Sequence, residues 1–399
     1  MNYSPSVSDH SVPSIYLDNS ATTPLCPEAV QAIQDATECF YNPSSLHFGG
    51  QAAHKLVETA RRQILTALDV RLPNTRKVIF TSSGTEANNL AIFGVIHAKK
   101  FRFLPRIITT DSEHPSVLEP LNYLAGKGEI EVVKLSTKAG KLDLTELQAA
   151  LNERTVLVTL MQVNNETGAI YDIGTAFTLT KRLCPTAITH TDLTQGFLKV
   201  LPKGGYDKLG ADMMTVSGHK LHAPKGIGAL VVSTDLLKSK RLIPHLYGGG
   251  QEGGLRSGTE NVLGIAAMGS AIAAGKALAP SFQEKMTALR RVFIENLPDS
   301  VQINTPDHHS NHIISITLPS IKSQSALNAL SAMGIFVSSG SACSSHGGHG
   351  SYVLLSYGLT PGEADCTLRI SLSRYTTDQE LLTAARGVKE VCDTLVHIQ

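Results

Sequence analysis

The chain has 399 residues, of which 42% are hydrophobic and 17% charged. This is enough apolar material for two domains, or for one large domain with a small satellite. A formal net charge of +1 gives no reason to expect a nucleic acid or an anionic membrane as a partner. The polar, Pro/Ser-rich N-terminus lacks the parts of a signal peptide, and no apolar stretch approaches the ~20 residues that span a bilayer. A cytoplasmic protein is therefore expected.

Strand-like and helix-like runs alternate along the first two thirds of the chain. The strand-like runs lie at 106–110, 130–135, 156–161 and 227–232, and the amphipathic helical runs lie at 51–68 and 143–152. Such alternation is typical of a mostly parallel sheet between helices. After Asn261 the chain reads as an alanine-rich helix to about Leu297, and strands at 312–318 and 368–372 predict a smaller α+β unit.

A candidate anion site lies at the start of the helix that follows the strand at 78–81. The strand runs into a Ser/Gly/Thr turn, Ser82 to Thr85. Free backbone N–H groups and the helix dipole converge on an anion at such a turn, and Gly84 and Thr85 are the expected contacts. An ordinary strand-turn-helix junction looks similar, so the turn is informative only together with the motifs that follow it.

Two further side chains follow predicted strands. His114 comes after the strand at 106–110, where an imidazole can stack on a flat cofactor and carry protons. Asp192 ends the strand at 186–191, and a carboxylate there can keep a pyridinium nitrogen protonated. Gln195 can hydrogen-bond a phenolate oxygen of the same ring. A surface histidine and a helix-capping aspartate are the ordinary alternatives.

Lys220 is the most informative residue of the sequence. It follows an apolar run, with the hydroxyl of Ser217 and the imidazole of His219 close by. A lysine in this setting suits a Schiff base to pyridoxal phosphate, whose phosphate needs such donors. A lysine at a plain strand-to-loop boundary is the alternative, but the preceding Asp192 and Gly84 motifs occur in the order that a cofactor site requires.

Three longer motifs carry a family resemblance. The segments 163–168 (Val-Asn-Asn-Glu-Thr-Gly), 217–228 (Ser-Gly-His-Lys-Leu-His-Ala-Pro-Lys-Gly-Ile-Gly) and 338–343 (Ser-Ser-Gly-Ser-Ala-Cys) resemble class I, NifS/IscS-type cysteine desulfurases. The similarity runs from Tyr16 to Thr377. It implies a pyridoxal 5′-phosphate enzyme of fold-type I in the aminotransferase class V family. Its α/β fold would have a large domain with a mostly parallel seven-stranded sheet between helices, and a smaller α+β domain.

The resemblance also implies a domain division and further site residues. The expected parts are an N-terminal arm (1–25) that packs with the small domain, a large cofactor-binding domain (26–270), and a small domain (271–399). By the same resemblance His114 stacks on the cofactor, and Asn165 and Arg369 hold the substrate carboxylate. Thr259, in a glycine-rich segment, would reach the cofactor phosphate of the neighbouring subunit, which implies a homodimer.

Cys343 is the candidate nucleophile among six cysteines. The expected mobile loop around it, about 338–351, is made of small residues and glycines that bury little surface. No cysteine spacing suits a zinc site or a disulfide framework, so no metal is expected. Of the other cysteines, Cys39, Cys184 and Cys392 are expected to be buried, and Cys26 and Cys366 partly exposed. His346 and His349 can lower the thiol pKa, bind adventitious metal, or simply be solvated.

The implied reaction takes sulfur from L-cysteine and leaves L-alanine. Lys220 moves the α-proton, His114 handles a second proton, and the Cys343 thiolate takes the substrate sulfur as a persulfide. Sulfur-acceptor proteins, such as an iron–sulfur scaffold, are the expected partners. A selenocysteine lyase, a cysteine/cystine C–S lyase, or an inactive subunit that only docks acceptors remain alternatives.

Overall fold

The computed structural model describes residues 14–70, 72–339 and 351–395. The strands are β1 (Ile15–Tyr16), β2 (Arg76–Thr81), β3 (Arg106–Thr110), β4 (Glu131–Leu135), β5 (Thr155–Met161), β6 (Ile188–Asp192), β7 (Met213–Ser217), β8 (Gly228–Ser233), β9 (Gln302–Ile303), β10 (Ile313–Thr317), β11 (Ile335–Phe336), β12 (Ser338–Ser339) and β13 (Thr367–Ser371). The helices are α1 (Pro27–Thr37), α2 (Phe48–Ala67), α3 (Gly84–Ile96), α4 (Pro115–Gly126), α5 (Leu144–Ala150), α6 (Ile173–Leu183), α7 (Thr234–Lys238), α8 (Val262–Glu295), α9 (Ser323–Ala332), α10 (Tyr352–Tyr357), α11 (Pro361–Asp365) and α12 (Asp378–Thr394).

The largest sheet has seven strands in the order β2-β8-β7-β6-β5-β3-β4. Strand β8 is antiparallel to both of its neighbours, and all other pairs are parallel. Six strands therefore point the same way, and their carboxyl ends lie along one edge. The mostly parallel seven-stranded sheet expected from the sequence is confirmed.

Helices cover both faces of this sheet, which explains why its central strands are apolar throughout. All seven residues of β5 are buried. Leu157 packs in a core cluster with Leu90 of α3 and Leu121 of α4. The next residue, Val158, packs in a separate cluster with Ile64 of α2. Adjacent residues of the strand thus pack into different cores on the two faces of the sheet, as in sheets buried on both faces.

A second, antiparallel sheet has the order β12-β13-β10-β9. Its residues Ile314 and Leu368 pack in a third core cluster, which also includes Phe293. The long helix α8 connects the two parts of the chain. Its first half contributes Met268 to the core of the large sheet, and its second half contributes Phe293 to the small one. The expected domain boundary at 270 falls inside this helix, and the division itself stays a prediction.

The N-terminal segment crosses between the two sheets. Strand β1 pairs in parallel with β11, and Asn19 donates its side-chain N–H to the carbonyl of Ser371 at 2.9 Å. A few residues later, Thr23 Oγ1 donates to the carbonyl of His219 at 3.0 Å. Residues more than 190 positions apart are thereby joined at the end of the large sheet.

Helix α8 is long and apolar enough, by length and composition, to cross a membrane. No apolar stretch of that length was expected from the sequence. The first half of α8 nevertheless reaches it, because it carries a single charged residue, Lys276. Its buried residues, including Ala271 and Ile272, lie in a hydrophobic core cluster. An alanine-rich helix packed in this way is also typical of a protein core.

Three cysteines differ from the sequence-based expectation: Cys26, Cys366, and Cys39, which was expected to be buried and is half-buried. Cys26 and Cys366 are buried, not partly exposed. Cys26 precedes α1 and its backbone N–H bonds to the carbonyl of His222 at 3.0 Å, while Cys366 precedes β13 at the edge of the small core. Cys184 and Cys392 are buried as expected. Cys343 lies outside the described residues.

One buried ion pair fastens the glycine-rich segment at 247–261 to the large sheet. Arg61 of α2 donates to both carboxylate oxygens of Glu252, at 2.7 and 2.5 Å, and Glu252 also accepts the backbone N–H of Phe80 at 2.9 Å. The Glu252 side chain is 2% exposed. Removing the charge of Glu252 would take from Arg61 its buried counterion and leave it with the more exposed Glu58.

We expect Glu252→Gln to lower the free energy of unfolding by about 3 kcal/mol, because a buried charge loses its counterion. Glu58→Gln is the matched control, since Glu58 pairs with the same Arg61 but is 41% exposed, and it should change stability by less than about 1 kcal/mol. Urea unfolding followed by circular dichroism measures both. Equal losses in the two variants would contradict the assignment.

Candidate active site

A single cavity of about 490 Å³ opens where the carboxyl ends of the parallel strands meet. Loops after β2, β3, β5, β6 and β7 each contribute side chains to it. Cavities of this size and position are typical ligand sites of open α/β sheets. The sequence-predicted residues that line it are Gly84, Thr85, His114, Asn165, Asp192, Gln195, Ser217, His219, Lys220 and Arg369.

The start of α3 forms one wall of the cavity. Ser83 caps the helix by accepting the backbone N–H of Glu86 at 3.1 Å. Gly84 packs closely against the end of β7, where an added Cβ would lie 3.1 Å from Cβ of Ser217. Gly228 of β8 leaves even less room, since a Cβ there would lie 2.5 Å from the carbonyl carbon of Ser83. This tight packing holds the exposed N–H groups of the helix start at the cavity, where an anion is favoured.

Asp192 lies at the end of β6 and is buried, 6% exposed. Its Oδ2 accepts the side-chain N–H of Asn88 at 2.8 Å, and its Oδ1 accepts the backbone N–H of Thr194 at 2.8 Å. Both carboxylate oxygens are therefore fixed. Asn88 had no role in the sequence-based interpretation, although a polar residue among Ala87, Leu90 and Ala91 on a buried helix was a usable signal.

Lys220 lies in a short turn after β7 and reaches the N-terminal segment. Its ammonium donates to the carbonyl oxygens of Ser20 and Ala21, the latter at 2.6 Å. The Ser20 carbonyl also accepts Nε2 of Gln195 at 3.0 Å. Backbone carbonyls of the arm thus position two of the predicted cofactor residues. Nothing in the local sequence of residues 20–21 indicated this contact.

Two histidines at the cavity are kept neutral. His114 caps α4, where its Nδ1 accepts the backbone N–H of Ser116 at 3.1 Å. Burial lowers the pKa of His114, opposed in part by the charge of Asp192. Burial, and then the charge of Lys220, lowers the pKa of His219 to about 4. Both imidazoles are therefore neutral near pH 7 and can accept a hydrogen bond through the unprotonated ring nitrogen.

The opposite wall of the cavity holds Arg369 and Asn165. Arg369, on β13 of the small sheet, pairs with Asp18 at 2.8 Å and donates to the backbone carbonyl of Asn165 at 3.1 Å. Nε of Arg369 and Oδ1 of Asn165 are buried without a hydrogen-bond partner among the described residues. Unsatisfied buried groups are rare. The Nε–H of Arg369 is a donor that suits a carboxylate, whereas Oδ1 of Asn165 is an acceptor that needs an N–H or O–H group. Asp18 had no predicted role.

Two buried carboxyl groups accompany the site. Glu113, next to His114, accepts the backbone N–H of Met161 at 2.8 Å and the hydroxyl of Thr110 at 2.9 Å. Burial raises its pKa to about 8. Glu166 accepts the hydroxyl of Ser351 at 2.5 Å, and burial raises its pKa to about 7. Both groups hold a proton near neutral pH more readily than an exposed glutamate does.

Thr259 and Cys343 are the predicted site residues that the cavity does not include. Thr259 is exposed, in the segment before α8, and does not line the cavity. Cys343 lies outside the described residues, as do His346 and His349. The cavity otherwise combines an anion-binding helix start, an anchored carboxylate, a lysine and an arginine. These groups fit a flat cofactor with a phosphate on one side and a substrate carboxylate on the other.

Comparison with known proteins agrees with this class of site. A solved NifS-like protein matches with a TM-score of 0.87 and 31% identity, covering 96% of this chain and 100% of that one. A solved structure described as SspA in complex with cysteine matches with a TM-score of 0.77 and 29% identity, covering 91% of this chain and 100% of that one. The fold is therefore that of NifS-like, fold-type I enzymes.

The sequence comparisons define the family. The aminotransferase class-V family model matches residues 15–383. The cysteine desulfurase of Nostoc sp. is 38% identical over 392 residues, which is 96% of this chain and 93% of that protein. The chain belongs to the aminotransferase class-V family.

The raised pKa of Glu113 predicts a pH-dependent stability difference. Because the folded protein favours the protonated carboxyl, Glu113 contributes stability below its unfolded pKa of about 4.3, and this contribution is lost as the pH rises towards 8. We expect Glu113→Gln to gain stability relative to the wild type between pH 5 and 8, since a carboxamide keeps the two accepted hydrogen bonds without the charge.

Urea unfolding at several pH values measures this difference. Glu119→Gln on α4, which begins two residues after Glu113, is the matched control, because Glu119 is exposed. The difference in stability between this variant and the wild type should not vary with pH. If the difference in unfolding free energy between Glu113→Gln and the wild type is constant from pH 5 to 8, the Glu113 carboxyl does not titrate in that range.

Proposed function

We propose that the protein is a pyridoxal phosphate-dependent cysteine desulfurase, which converts L-cysteine to L-alanine and transfers the sulfur to Cys343 as a persulfide. The observation that carries this proposal is the convergence of Lys220, Asp192, the Ser83–Thr85 turn, Arg369 and Asn165 on one cavity. The similarity to relatives named cysteine desulfurase supports it further.

Pyridoxal phosphate, held by the helix start at Gly84 and Thr85, by Asp192 and by Lys220, supplies an electron sink for the substrate α-carbon. Ser217 and His219, beside Lys220 on the cavity wall, provide further donors for its phosphate. The Asn88 and Thr194 bonds keep the Asp192 carboxylate in one orientation. The residues expected around the cofactor are therefore already ordered by the protein.

Arg369 and Asn165 would bind the substrate carboxylate. Arg369 is 5% exposed and already paired with Asp18, so its guanidinium is fixed before substrate arrives. Arg369 and Asn165 both line the cavity that the substrate would occupy. Such preorganisation lowers the entropic cost of holding the substrate in a reactive geometry.

The protein groups handle two protons and one sulfur. Lys220 accepts the proton from the substrate α-carbon, and the neutral His114 can accept or return a second one. The Cys343 thiolate attacks the substrate sulfur, so that an S–S bond forms, the Cβ–S bond breaks, and its electron pair goes to the alanine moiety. Protonation of that moiety completes alanine.

We also propose a homodimer in which Thr259 reaches the partner's cofactor phosphate. Thr259 is exposed in a single chain, as this role requires. Phe40 and Phe48 are 80% and 90% exposed, and the Phe40 ring stacks on Tyr41 with centroids 4.3 Å apart. An exposed apolar cluster of this kind is typical of an interaction surface. A monomeric mass in sedimentation velocity at micromolar concentration would contradict the dimer.

We further propose that the chain is divided into three parts: an arm (1–25), a cofactor domain (26–270) and a small domain (271–399). We also propose that the protein is cytoplasmic. Sulfur-acceptor proteins, such as an iron–sulfur scaffold, would take the persulfide sulfur. The net charge of +1 gives no reason to add a nucleic acid or a membrane as partner.

The direct test uses Cys343→Ala, with Cys39→Ala as the matched control because Cys39 is a half-buried thiol away from the cavity lining. We expect Cys343→Ala to lose alanine formation by at least about 100-fold, since no thiolate takes the sulfur. Its visible cofactor absorbance should remain. Cys39→Ala should keep both.

Alanine, pyruvate and protein-bound persulfide are measured after addition of L-cysteine. Alanine in equal amount to transferred sulfur is the expected result for the wild type. Pyruvate in place of alanine would identify a C–S lyase, and a persulfide retained by Cys343→Ala would refute the nucleophile.

A further inference from the structure

Lys199 is an uncommon lysine, because most of it is buried next to Gln195 of the cavity wall. It is only partly exposed, and its Nζ donates to Oε1 of Gln195 at 3.3 Å. Gln195 lines the cavity, whereas Lys199 does not. Any effect of Lys199 on a bound ligand must therefore pass through Gln195 or act through its charge.

The charge of Lys199 has no carboxylate partner among the described residues. No ion pair involves it there, and the charged group that affects its own titration is another cation, Lys220. Burial, and then Lys220, lowers the pKa of Lys199 to about 7. Lys199 in turn helps to lower the pKa values of His219 and His222, after burial and other cations.

His312 completes this basic cluster. The ring is 1% exposed, and a contact with the backbone of Gln195 opposes part of the effect of burial on its pKa. Burial, and then the charge of Lys199, holds its pKa well below the usual value. A buried cation among lysines and neutral histidines is costly unless an anion lies nearby. The ligand cavity on the other side of Gln195 is the place where such an anion fits.

The Gln195 carboxamide is fixed in one orientation by two partners of opposite character. Oε1 accepts from the Lys199 ammonium, and Nε2 donates to the Ser20 carbonyl. A flipped amide would place N–H against ammonium and carbonyl oxygen against carbonyl oxygen. One N–H of Nε2 is used by Ser20, and a carboxamide has two such donors. The second N–H is available to the cavity that Gln195 lines.

We propose that Lys199 is a positioning residue of this active site: it fixes the Gln195 carboxamide so that an N–H faces the cofactor, and it places positive charge behind that contact. The inference rests on the proposed function, since it takes the cavity to hold pyridoxal phosphate. Both effects favour an anionic oxygen on the cofactor and disfavour an added proton near Lys220.

The test is the pH midpoint of the visible absorbance of the purified holoprotein. In Lys199→Met the donor to Gln195 and the charge are both lost, so the midpoint should rise by about 0.5 to 1 pH unit relative to the wild type. Lys199→Arg keeps a charged donor and should return the midpoint towards the wild-type value. Lys203→Met is the matched control, because Lys203 is exposed on the same segment, and its midpoint should not move.

A second measurement separates positioning from folding. If Lys199→Met does not fold, Lys199→Gln removes the charge with a smaller change in polarity, and its midpoint should also rise. In a Gln195→Ala background, Lys199→Met should shift the midpoint by less than it does alone, since the contact it acts through is gone. A midpoint unchanged by both neutral variants would overturn the inference.

The outcome is distinguishable from failure of the proposed function. A wild-type protein that binds no pyridoxal phosphate and has no visible absorbance refutes the function itself. If the wild type is coloured and active, but the Lys199 variants have the same pH midpoint as Lys203→Met, only the role of Lys199 is refuted.

Discussion

The common direction of six strands in the seven-stranded sheet is the constraint on which the site depends. Because these strands end along one edge, the residues that follow them meet there although they are far apart in sequence. Ser83, His114, Asp192 and Lys220 follow four different strands and line the same cavity. Strand β8 runs the opposite way, and its Gly228 lets the Ser83 turn approach closely. Reversing β2, β3, β5, β6 or β7 would remove the residues that follow it from the site.

The second constraint is electrostatic. Lys220 and Arg369 place two cations in the cavity, and Lys199, whose pKa is lowered to about 7 by burial, adds part of a positive charge next to it. Burial keeps His114 and His219 neutral and favours the protonated forms of Glu113 and Glu166. Asp192 and Asp18 are the carboxylates bonded to other site residues there. An excess of fixed positive charge in a largely enclosed cavity favours ligands with phosphate and carboxylate groups. It also explains why Gln195 and Asn165 contribute amide groups and not charges.

Much of the fold and of the site could be predicted from the sequence, because strand-ending motifs keep their chemistry local. Asp192 at the end of β6 and the turn before α3 are examples, as each is read from a few adjacent residues. The contacts made by Asp18 and Ser20 could not be read in this way. Asp18 meets a partner 351 positions away and Ser20 one 175 positions away, and such pairings appear only once the chain is folded. Burial of Cys26 has the same origin, in a backbone bond to His222.

The central claim is that Lys220 carries the cofactor, and reduction of the holoprotein with borohydride tests it most directly. This treatment converts a lysine-linked pyridoxal group into a stable covalent adduct, which peptide mass spectrometry assigns to one residue. The account predicts the adduct on Lys220 and none on the neighbouring Lys199. An adduct on Lys199 or another lysine, or a protein without any adduct after incubation with pyridoxal phosphate, would contradict it.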